Sequence, residues 1–441
     1  MRRIAFFEDG QNSHFGPLTQ LRPNFELLCG HFSVRERGVT LLKPESWGVF
    51  CREELAEVYR EDHSDAHVNE VVWINEAPTL LINGRWLGES HLLANQSPGT
   101  AGWIGNTLAF LVTDPTRPLP ADFSGTPAEL ASLAYDFRHV DTEGALLTFP
   151  WDLVSRNAEQ LARDFAVRRR ENSIANLPGH LAVVGDESRL FVHESAQVDP
   201  YVVIDVTGGP VWIEADVKIQ AFTRIEGPCF VGRGTQLFRA NVREGCSFGP
   251  VCRIGGEIEE SIVQGYSNKY HDGFLGHSVV GEWVNFGALT TNSDLKNDYS
   301  DVSVPLSGVK LDTGSKKVGC FIGDHTKTAL SSLFNTGTSV GVMSLILPGG
   351  ELLPKHIPSF SRVWHGRIEA LPDGVESGLA TARYAMSRRD RELTPTMEQL
   401  LLHVYASTQA EREASLAWQA EKQVVRQPEI LRRRDVVEND L

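Results

Sequence analysis

The sequence predicts an α/β domain, then a parallel β-helix, then a helical C-terminal segment. Three observations predict this order: mixed strand and helix patterns in the first 180 residues, an aliphatic side chain at every sixth position between about 183 and 348, and an amphipathic helical pattern near the end. A chain of 441 residues is too long for one ordinary core. The expected domains are residues 1–180, 181–366 and 367–441.

The first domain shows apolar strand patterns separated by polar turns. The predicted strands lie at residues 4–7, 71–74, 80–82, 85–87 and 107–112. Asn83-Gly84 favours the positive φ angles of a tight turn, so a hairpin is predicted there. Helices are predicted at 53–60 and 152–170, the second with Asp152 as its cap and three arginines near its end. This second helix is expected to close the domain.

The six-residue period is the most regular pattern in the chain. It runs through Val192, Val198, Ile204, Ile213, Ile219, Ile225, Val231, Leu237, Phe248, Ile254, Ile262, Asn268, Phe274, Val280, Phe286, Ile322, Thr328, Phe334, Val340 and Ile346. Seven of these residues, such as Val231 and Phe248, are followed directly by glycine. Three short strands joined by tight turns make a triangular coil of about eighteen residues. Stacked coils bury the aliphatic side chains under their neighbours, which predicts a β-helix.

Two segments depart from this period. The polar stretch between Ala288 and Gly319 predicts a loop that projects from the coil wall, and long loops of this kind are often functional. The period ends after Pro348. Further on, Thr394 and Pro395 suit a helix start. The apolar residues that follow have helical spacing: Met397, Leu400, Leu401, Val404 and Tyr405. This helix is expected either to cover the open end of the β-helix or to pack between subunits.

Composition narrows the class of function. The formal charge of −15 disfavours nucleic acid as a partner, so a bound phosphate needs a local group of cations or backbone N–H groups. No apolar run reaches 18 residues and acidic residues follow soon after Met1, so we expect a cytoplasmic protein with no membrane partner. The six cysteines form no C-x-x-C pair, which favours buried, reduced thiols over zinc ligands or disulfides.

Residues 266–294 resemble a known enzyme motif within the hexapeptide-repeat acyltransferases. Two patterns match in register: Ser267, His271, Phe274, Leu275 and Gly276, then Val284, Asn285, Gly287, Ala288 and Thr290. They are similar to the acetyltransferase half of the bifunctional N-acetylglucosamine-1-phosphate uridyltransferase and glucosamine-1-phosphate acetyltransferase family. The resemblance implies a left-handed β-helix and a homotrimer with its site outside the coil. Asn268 replaces a family lysine, with Lys269 one position later, and Phe274 replaces a family tyrosine.

The resemblance also implies roles for individual residues. His271 would be the general base that deprotonates the sugar amine, with Asn285 holding the sugar or the base. The backbone at Ala288 would accept the arm of acetyl-CoA. Phosphate and substrate contacts are expected from Lys296, Lys316, Lys317, Ser267, Lys269 and Phe274. The alternative for His271 is a solvated loop histidine.

Residues 16–37 resemble the start of sugar nucleotidyltransferases, in a divergent branch. The resemblance implies that Arg22, Arg35 and Arg37 clamp the phosphates of a nucleoside triphosphate and a sugar 1-phosphate, with Mg²⁺ present. The Gly-x-Gly-Thr-Arg loop of that family is absent. Asp9 and Asp114 are the candidate metal ligands, although the sequence leaves the metal site unknown. The alternative is that the arginines make structural ion pairs.

The sequence thus predicts a cytoplasmic sugar-phosphate transferase in the biosynthesis of a nucleotide sugar such as UDP-N-acetylglucosamine. Acetyl transfer from acetyl-CoA would occur in the β-helix and nucleotidyl transfer in the first domain. One alternative is nucleotidyl transfer alone, with the β-helix as a trimerising scaffold. Others are a noncatalytic trimeric assembly protein and a metal-dependent β-helix hydratase that uses His271, His277 and His325.

Overall fold

The first domain is built on a mixed seven-stranded sheet. The computed structural model of the chain describes residues 2–88, 93, 96–120, 122–123, 125–171, 177–306, 308–347 and 350–419. The strands are β1 Arg3–Phe7, β2 Ser46–Phe50, β3 Ala66–Val68, β4 Leu80–Asn83, β5 Trp86–Leu87, β6 Thr100–Ile104, β7 Thr107–Val112, β8 Arg138–Asp141 and β9 Ala145–Leu146. The sheet order is β3-β2-β1-β4-β7-β6-β8. Strands β1 to β4 are parallel and β7 is antiparallel to both of its neighbours.

Helices cover the sheet and continue after the β-helix. They are α1 Val34–Leu42, α2 Glu53–Asp62, α3 Val71–Glu76, α4 Pro127–Tyr135, α5 Pro150–Glu171, α6 Gly374–Ser387 and α7 Pro395–Ser407. The predictions of α2 and α5 are confirmed, and the Asp152 carboxylate accepts the N–H groups of Thr148 and Phe149 at the start of α5. The predicted hairpin is wrong. Residues 71–76 are helical, and β4 pairs with β1 and β7, which occupy both of its edges.

The middle of the chain is a three-sided parallel β-helix, as predicted. The first face is formed by Leu190–Val192, Val211–Ile213, Cys229–Val231, Cys246–Phe248, Ile262–Gly265, Val279–Glu282, Cys320–Ile322, Thr338–Val340 and His356–Ile357. The second face is formed by Gln197–Val198, Lys218–Ile219, Asn268–Lys269, Lys327–Thr328, Leu345–Leu347 and Ser361–Trp364, and the third by Ala182–Val184, Val203–Asp205, Arg224–Glu226, Phe274–Gly276, Thr291–Asn292 and Leu333–Phe334. Gln236–Val242 and Arg253–Glu259 turn from the second face onto the third.

The predicted inward register holds for most of the coils and shifts by one residue in the middle. Phe248 pairs with Val263, not with Ile262, because this coil is shorter than the average of about eighteen residues. Val263 and Leu275 therefore belong to the interior cluster, and Lys269 pairs with the inward Ile254. Ile262 faces outward, against the first domain. A shift of one residue in a strand exchanges its inner and outer faces.

The repeated glycines are required by close stacking of the coils. A Cβ at Gly249 would lie 1.6 Å from the carbonyl oxygen of Gln264, and one at Gly255 would lie 1.9 Å from that of Tyr270. Many left-handed turn positions hold larger residues, including Phe222 with a φ of 67° and Trp283 with a φ of 59°. The glycines in the repeat thus provide space for the neighbouring coil.

The stretch after Ala288 is partly a hairpin packed between the domains. Ser303–Leu306 and Val309–Asp312 pair antiparallel. Val302, Val304 and Leu306 are buried in the cluster that also contains residues of the first domain. The prediction of a projecting polar loop is therefore wrong for this part. The period also continues beyond Pro348, which itself lies outside the described residues, because His356–Ile357 and Ser361–Trp364 pair in register with earlier coils.

The C-terminal segment has two contacts. Helix α7 begins with Thr394 as its cap, as predicted, and packs with α2 and α6 in one cluster with Met343 and Phe360 of the β-helix. Residues 409–419 continue as helix, and Leu416 packs against the β-helix interior near its last coil. The predicted helix thus packs against α2, α6 and the β-helix of the same chain, and its role as a cover of the open end stays a prediction. The predicted extension at 420–441 lies outside the described residues.

Helix α5 attaches the first domain to the first face. Trp212 stacks on Phe191 with ring centroids 3.8 Å apart and meets Phe165 of α5 edge-on at 5.8 Å. The Asn157 side chain accepts the N–H of Gly30 at 2.7 Å and donates to the carbonyl of Gly245 at 2.8 Å. Apolar contacts and satisfied buried hydrogen bonds thus fix the two domains together.

Candidate functional site

The edge between the second and third faces, here called the second edge, carries His271. Exposed apolar side chains recur along this edge, with the exposed Arg239 between the first two and the last three, and together they are here called the apolar stripe: Tyr201, Phe222, Tyr270, Leu289 and Leu330. Tyr201 and Phe222 are 72% and 71% exposed and their rings stack 5.6 Å apart. The exposed imidazole of His271 lies in this stripe, edge-on to the Tyr270 ring at 4.7 Å. Repeated exposed apolar side chains on one edge favour an interaction site.

Asn285 lies one coil beyond His271, on the outer surface of the second face. Its side-chain oxygen accepts a hydrogen bond from the Asn268 amide at 2.7 Å. Its backbone pairs with Asn268 and Lys327 on the two neighbouring coils. Ala288 is half-buried, and its carbonyl accepts the Ser331 N–H at 2.7 Å. The structure thus places His271, Asn285 and Ala288 on adjacent coils near one edge.

Ser267 has a structural role in the coil turn. Its hydroxyl donates to the Gly281 carbonyl and accepts the Val284 N–H, both at 2.8 Å. Thr235 and Thr326 make equivalent pairs of hydrogen bonds in other coils. Because Ser267 is 1% exposed and already paired, a substrate contact is unavailable in this arrangement.

Lys269 lies inside the β-helix. It is 3% exposed, and its ammonium donates to the carbonyls of Gly255 at 3.3 Å and His271 at 2.5 Å. Burial lowers the pKa of Lys269 to about 8. The predicted phosphate contact is absent from this arrangement, since the side chain points into the interior. It instead fixes the backbone at His271.

The remaining predicted contacts lie on the third face and in the segment between Ala288 and Gly319. Phe274 is half-buried on the third face. The Lys296 ammonium donates to Ser300 and to the Asp301 carbonyl, and that of Lys317 pairs with Glu259 at 3.1 Å. Lys316 is exposed. Of these lysines, Lys316 has the side chain most open to a phosphate group.

The three histidines of the hydratase alternative lie on different edges of the prism. His271 is on the second edge, His277 on the edge between the third and first faces, and His325 on the edge between the first and second faces. His277 hydrogen-bonds Asp294 at 2.8 Å and Glu260 at 3.2 Å. Within the described ranges, no group of three His, Cys, Asp or Glu side chains is placed to hold a metal ion. The hydratase alternative therefore lacks its ligand set.

The cysteines fit the prediction of reduced thiols. All six are free; Cys51 is half-buried and the other five are buried. Four lie in the β-helix interior: Cys229, Cys246, Cys252 and Cys320. They pack there as small apolar side chains.

The arginines of the predicted phosphate clamp are each paired with a carboxylate. Arg22 lies 2.8 Å from Asp324 and 3.3 Å from Glu282 of the β-helix. The Arg35 guanidinium donates twice to Glu26, at 2.5 and 3.0 Å. Arg37 donates twice to Asp164 of α5, at 3.0 and 2.8 Å. These contacts match the alternative of structural ion pairs, because a bound phosphate would have to displace a carboxylate at each position.

The two candidate metal ligands of the first domain differ in access. The Asp9 carboxylate pairs with the Arg85 guanidinium at 2.7 and 2.5 Å, whereas Asp114 accepts the Thr116 N–H and hydroxyl with one oxygen only. Magnesium sites use carboxylate oxygens that are free for the ion. Asp9 therefore does not fit the ion, and no group of three His, Cys, Asp or Glu side chains among the described residues joins Asp114 in a metal site.

A large cavity that the sequence did not predict lies between the first domain, the β-helix and the C-terminal segment. It has a volume of about 940 Å³ and lies at the edge between the first and second faces, here called the first edge. Arg22, Asp62, Glu282, Asp324 and Arg391 contribute to its walls. One sequence signal could have indicated this cavity. Bulky rings occupy the same turn position in three successive coils of this edge: Tyr266, Trp283 and His325. Such rings require cover by another part of the chain.

Comparison with known proteins finds a family model that matches the first domain. Residues 4–173 match the model of the family described as sugar nucleotidyl transferase, and this range ends just after α5. The chain is similar to bifunctional GlmU proteins. A bifunctional sugar-1-phosphate nucleotidylyltransferase/acetyltransferase of Sulfurisphaera tokodaii is 36% identical over 93 residues, which are 21% of this chain and 23% of that protein. A bifunctional protein GlmU of Methanococcus maripaludis is 33% identical over 90 residues, 20% of this chain and 22% of that protein.

These similarities are partial. The chain spans less than a quarter of the length of those two relatives. Among solved structures, a Francisella novicida UDP-N-acetylglucosamine acyltransferase matches with 13% identity and a TM-score of 0.30, over 52% of this chain and 89% of that chain. In the described part of the chain, no helix has both the length and the apolar character needed to cross a bilayer.

Proposed function

We propose that the chain is a sugar-phosphate transferase that acetylates an amino sugar at the second edge of its β-helix. The observation that carries this proposal is the exposed imidazole of His271 in the apolar stripe, with Asn285 and Ala288 on the next coil. The acetyltransferase names of the GlmU-type relatives support the reaction class.

The proposed chemistry requires one base and one leaving thiol. The sugar amine attacks the thioester carbon of acetyl-CoA, which forms a C–N bond and breaks the C–S bond. His271 takes the proton from the amine, and this proton then passes to the departing CoA thiolate. The hydrogen bond from Lys269 to the His271 carbonyl fixes the backbone that carries the imidazole. Asn285 orients the sugar.

The assay uses the purified chain with acetyl-CoA and glucosamine 1-phosphate, and it measures released thiol. We expect His271→Ala to lower kcat by about 10²- to 10⁴-fold, the usual contribution of a general base. His139→Ala is the matched control, since it removes an exposed histidine of the first domain. Acetylation by His271→Ala at the rate of the unchanged chain would eliminate this role.

The apolar stripe also supports the predicted homotrimer. Exposed rings such as Phe222 would be covered if three copies of the chain pack along their second edges, which would close the site around His271. Sedimentation velocity of Phe222→Asp is expected to show monomers where the unchanged chain sediments as a trimer. Val72→Asp, on exposed helix α3, is the control. A monomeric unchanged chain would count against the trimer.

Nucleotidyl transfer in the first domain is a second candidate, favoured by the family match over residues 4–173. The pairing of Arg22, Arg35 and Arg37 with carboxylates weighs against the predicted clamp. Pyrophosphate release from UTP and N-acetylglucosamine 1-phosphate, in buffer with Mg²⁺, tests this activity. If an Arg22→Ala, Arg35→Ala double variant releases pyrophosphate at an unchanged rate, these arginines are not required for nucleotidyl transfer.

A further inference from the structure

The cavity at the first edge of the β-helix is far larger than a packing defect and opens to solvent. Its walls come from the first domain, from turns of the β-helix and from the segment 386–397. A volume of about 940 Å³ lies within the range of small-molecule sites. It is separate from the second edge, where His271 lies, because the second face runs between the two edges.

Three buried polar atoms in its wall have no hydrogen-bond partner within the described chain. They are one carboxylate oxygen of Asp324, the Nδ1 atom of His325 and the side-chain nitrogen of Gln264. The residues are 1%, 6% and 6% exposed. The other Asp324 oxygen accepts hydrogen bonds from Arg22 at 2.8 Å and from the Glu282 N–H at 2.5 Å. Buried polar atoms are almost always paired in folded proteins, so these indicate a polar ligand.

Two carboxylates of this wall, Asp324 and Glu282, share one close cation. Arg22 alone contacts both Asp324 and Glu282, and Asp62 lies in the same wall. Burial and the nearby charge of Glu282 raise the pKa values of Asp62 and Asp324 to about 6, against the opposing effect of Arg22. Among the other wall arginines, Arg35 pairs with Glu26, whereas Arg391 donates to the neutral Tyr266 hydroxyl and keeps its positive charge near Asp62. A cation would relieve this excess of carboxylates, whereas a phosphate would add to it.

An aromatic column borders the charged wall. The rings of Tyr266 and Trp283 stack with centroids 4.4 Å apart, and Trp283 and His325 continue the column at 6.2 Å. All three line the cavity. Such a wall offers apolar contact to the carbon skeleton of a ligand whose charged group faces Asp324.

We propose that this cavity binds a small organic molecule that carries an ammonium group, held by the carboxylates of Asp324 and Glu282. The ammonium donates hydrogen bonds to the unpaired oxygen of Asp324 and to Glu282, and Gln264 donates to a ligand oxygen. Because the first domain and the C-terminal segment share the walls, binding also ties these parts to the β-helix. The proposal is independent of the proposed acetyl transfer.

Titration calorimetry with matched probes tests the site. The probes are glucosamine and spermidine, each compared with its N-acetylated form, in which an ammonium is replaced by a neutral amide. At least one amine is expected to bind ten-fold or more tightly than its acetylated form. Equal binding of both members in both pairs, or binding by neither amine, would overturn the proposal.

Variants locate the binding. Asp324→Asn and the milder Glu282→Gln, whose side chain is partly exposed, are each expected to weaken amine binding at least ten-fold. Asp205→Asn, a carboxylate change on the third face, is expected to bind as the unchanged chain does. Unchanged binding in a folded Glu282→Gln would refute the assignment even if Asp324→Asn fails to fold. Binding lost only in His271→Ala would place the amine at the second edge.

Discussion

The first and second faces of the β-helix have the same backbone geometry but different outer surfaces. The outward residues of the first face are mostly apolar: Phe191, Trp212, Phe230, Ser247, Ile262, Val279 and Phe321. Those of the second face are mostly polar, with Leu345 as the exception: Gln197, Lys218, Gln236, Arg253, Asn268, Asn285, Lys327 and Arg362. In both faces the inward side chains pack in the interior of the β-helix. The outward side chains decide whether a face is covered by another domain.

The largest expected effect concerns the covered face. Trp212→Ala removes a 1% exposed ring between Phe191 and Phe165, so we expect the free energy of unfolding to fall by about 3–5 kcal/mol. Urea denaturation measures the change. Lys218→Ala, on the outer row of the second face, should change stability by less than about 0.5 kcal/mol. Equal losses in the two variants would contradict the contrast between the faces.

His277, on the edge between the third and first faces, allows an ion pair to be compared with apolar contacts as a source of folding stability. Burial alone would lower the pKa of His277, but its hydrogen bonds to Asp294 and Glu260 raise it to about 9. We expect His277→Gln to destabilise by roughly 1–3 kcal/mol at pH 6. This stabilisation is complete below the unfolded pKa of about 6.5 and is lost as the pH rises through about 9.

Denaturation at pH 6 and pH 9.5 measures that difference. The charged side chains of Lys317, Glu259 and Glu260 lie near His277, so His139→Gln at an exposed position serves as the control for general pH effects. A loss that is the same at both pH values would show that His277 acts by packing and not by charge.

The smallest expected change comes from the interior of the second face. Lys269 occupies a position that Ile254 and Phe286 fill with apolar side chains in neighbouring coils. Lys269→Met is expected to raise the free energy of unfolding by about 1–2 kcal/mol at pH 7, since it removes a buried charge. Burial depresses the pKa of Lys269 from 10.5 to about 8. As the pH rises from about 8 to 10.5, the unchanged chain should therefore gain stability, and its difference in free energy of unfolding from Lys269→Met should shrink.

The control for this variant is Lys218→Met, on the outside of the same face. It should leave the pH dependence of stability unchanged. If Lys269→Met destabilises the chain at every pH, the two hydrogen bonds of the ammonium outweigh its cost of burial.

The period predicted the β-helix because each coil must place an inward side chain at a fixed spacing. It failed between Phe248 and Val280, where one short coil moves Val263, Lys269 and Leu275 inward. The hairpin after Ala288 was also missed, since Val304 and Leu306 are buried by residues that lie far apart in the sequence. In the first domain, the segment 71–76 is helical although its residues favour a strand.

The candidate site was only partly predictable. The motif gave the position of His271 on an exposed edge, but sequence spacing could not show that Ser267 and Lys269 point into the coil. The pairing of Arg22 with Asp324 joins residues 302 positions apart, and no local pattern reports such a contact. The same contact places Arg22 in the wall of the cavity at the first edge.

The sequence by itself determined the stacked coils, the position of helix α5 and the exposed turn that carries His271, because each depends on local spacing and backbone geometry. Tertiary structure alone decided which face the first domain covers, which arginines are neutralised and where a cavity of about 940 Å³ remains. These features depend on burial and charge contributed by residues far apart in the chain, and such contributions exist only after the domains have packed.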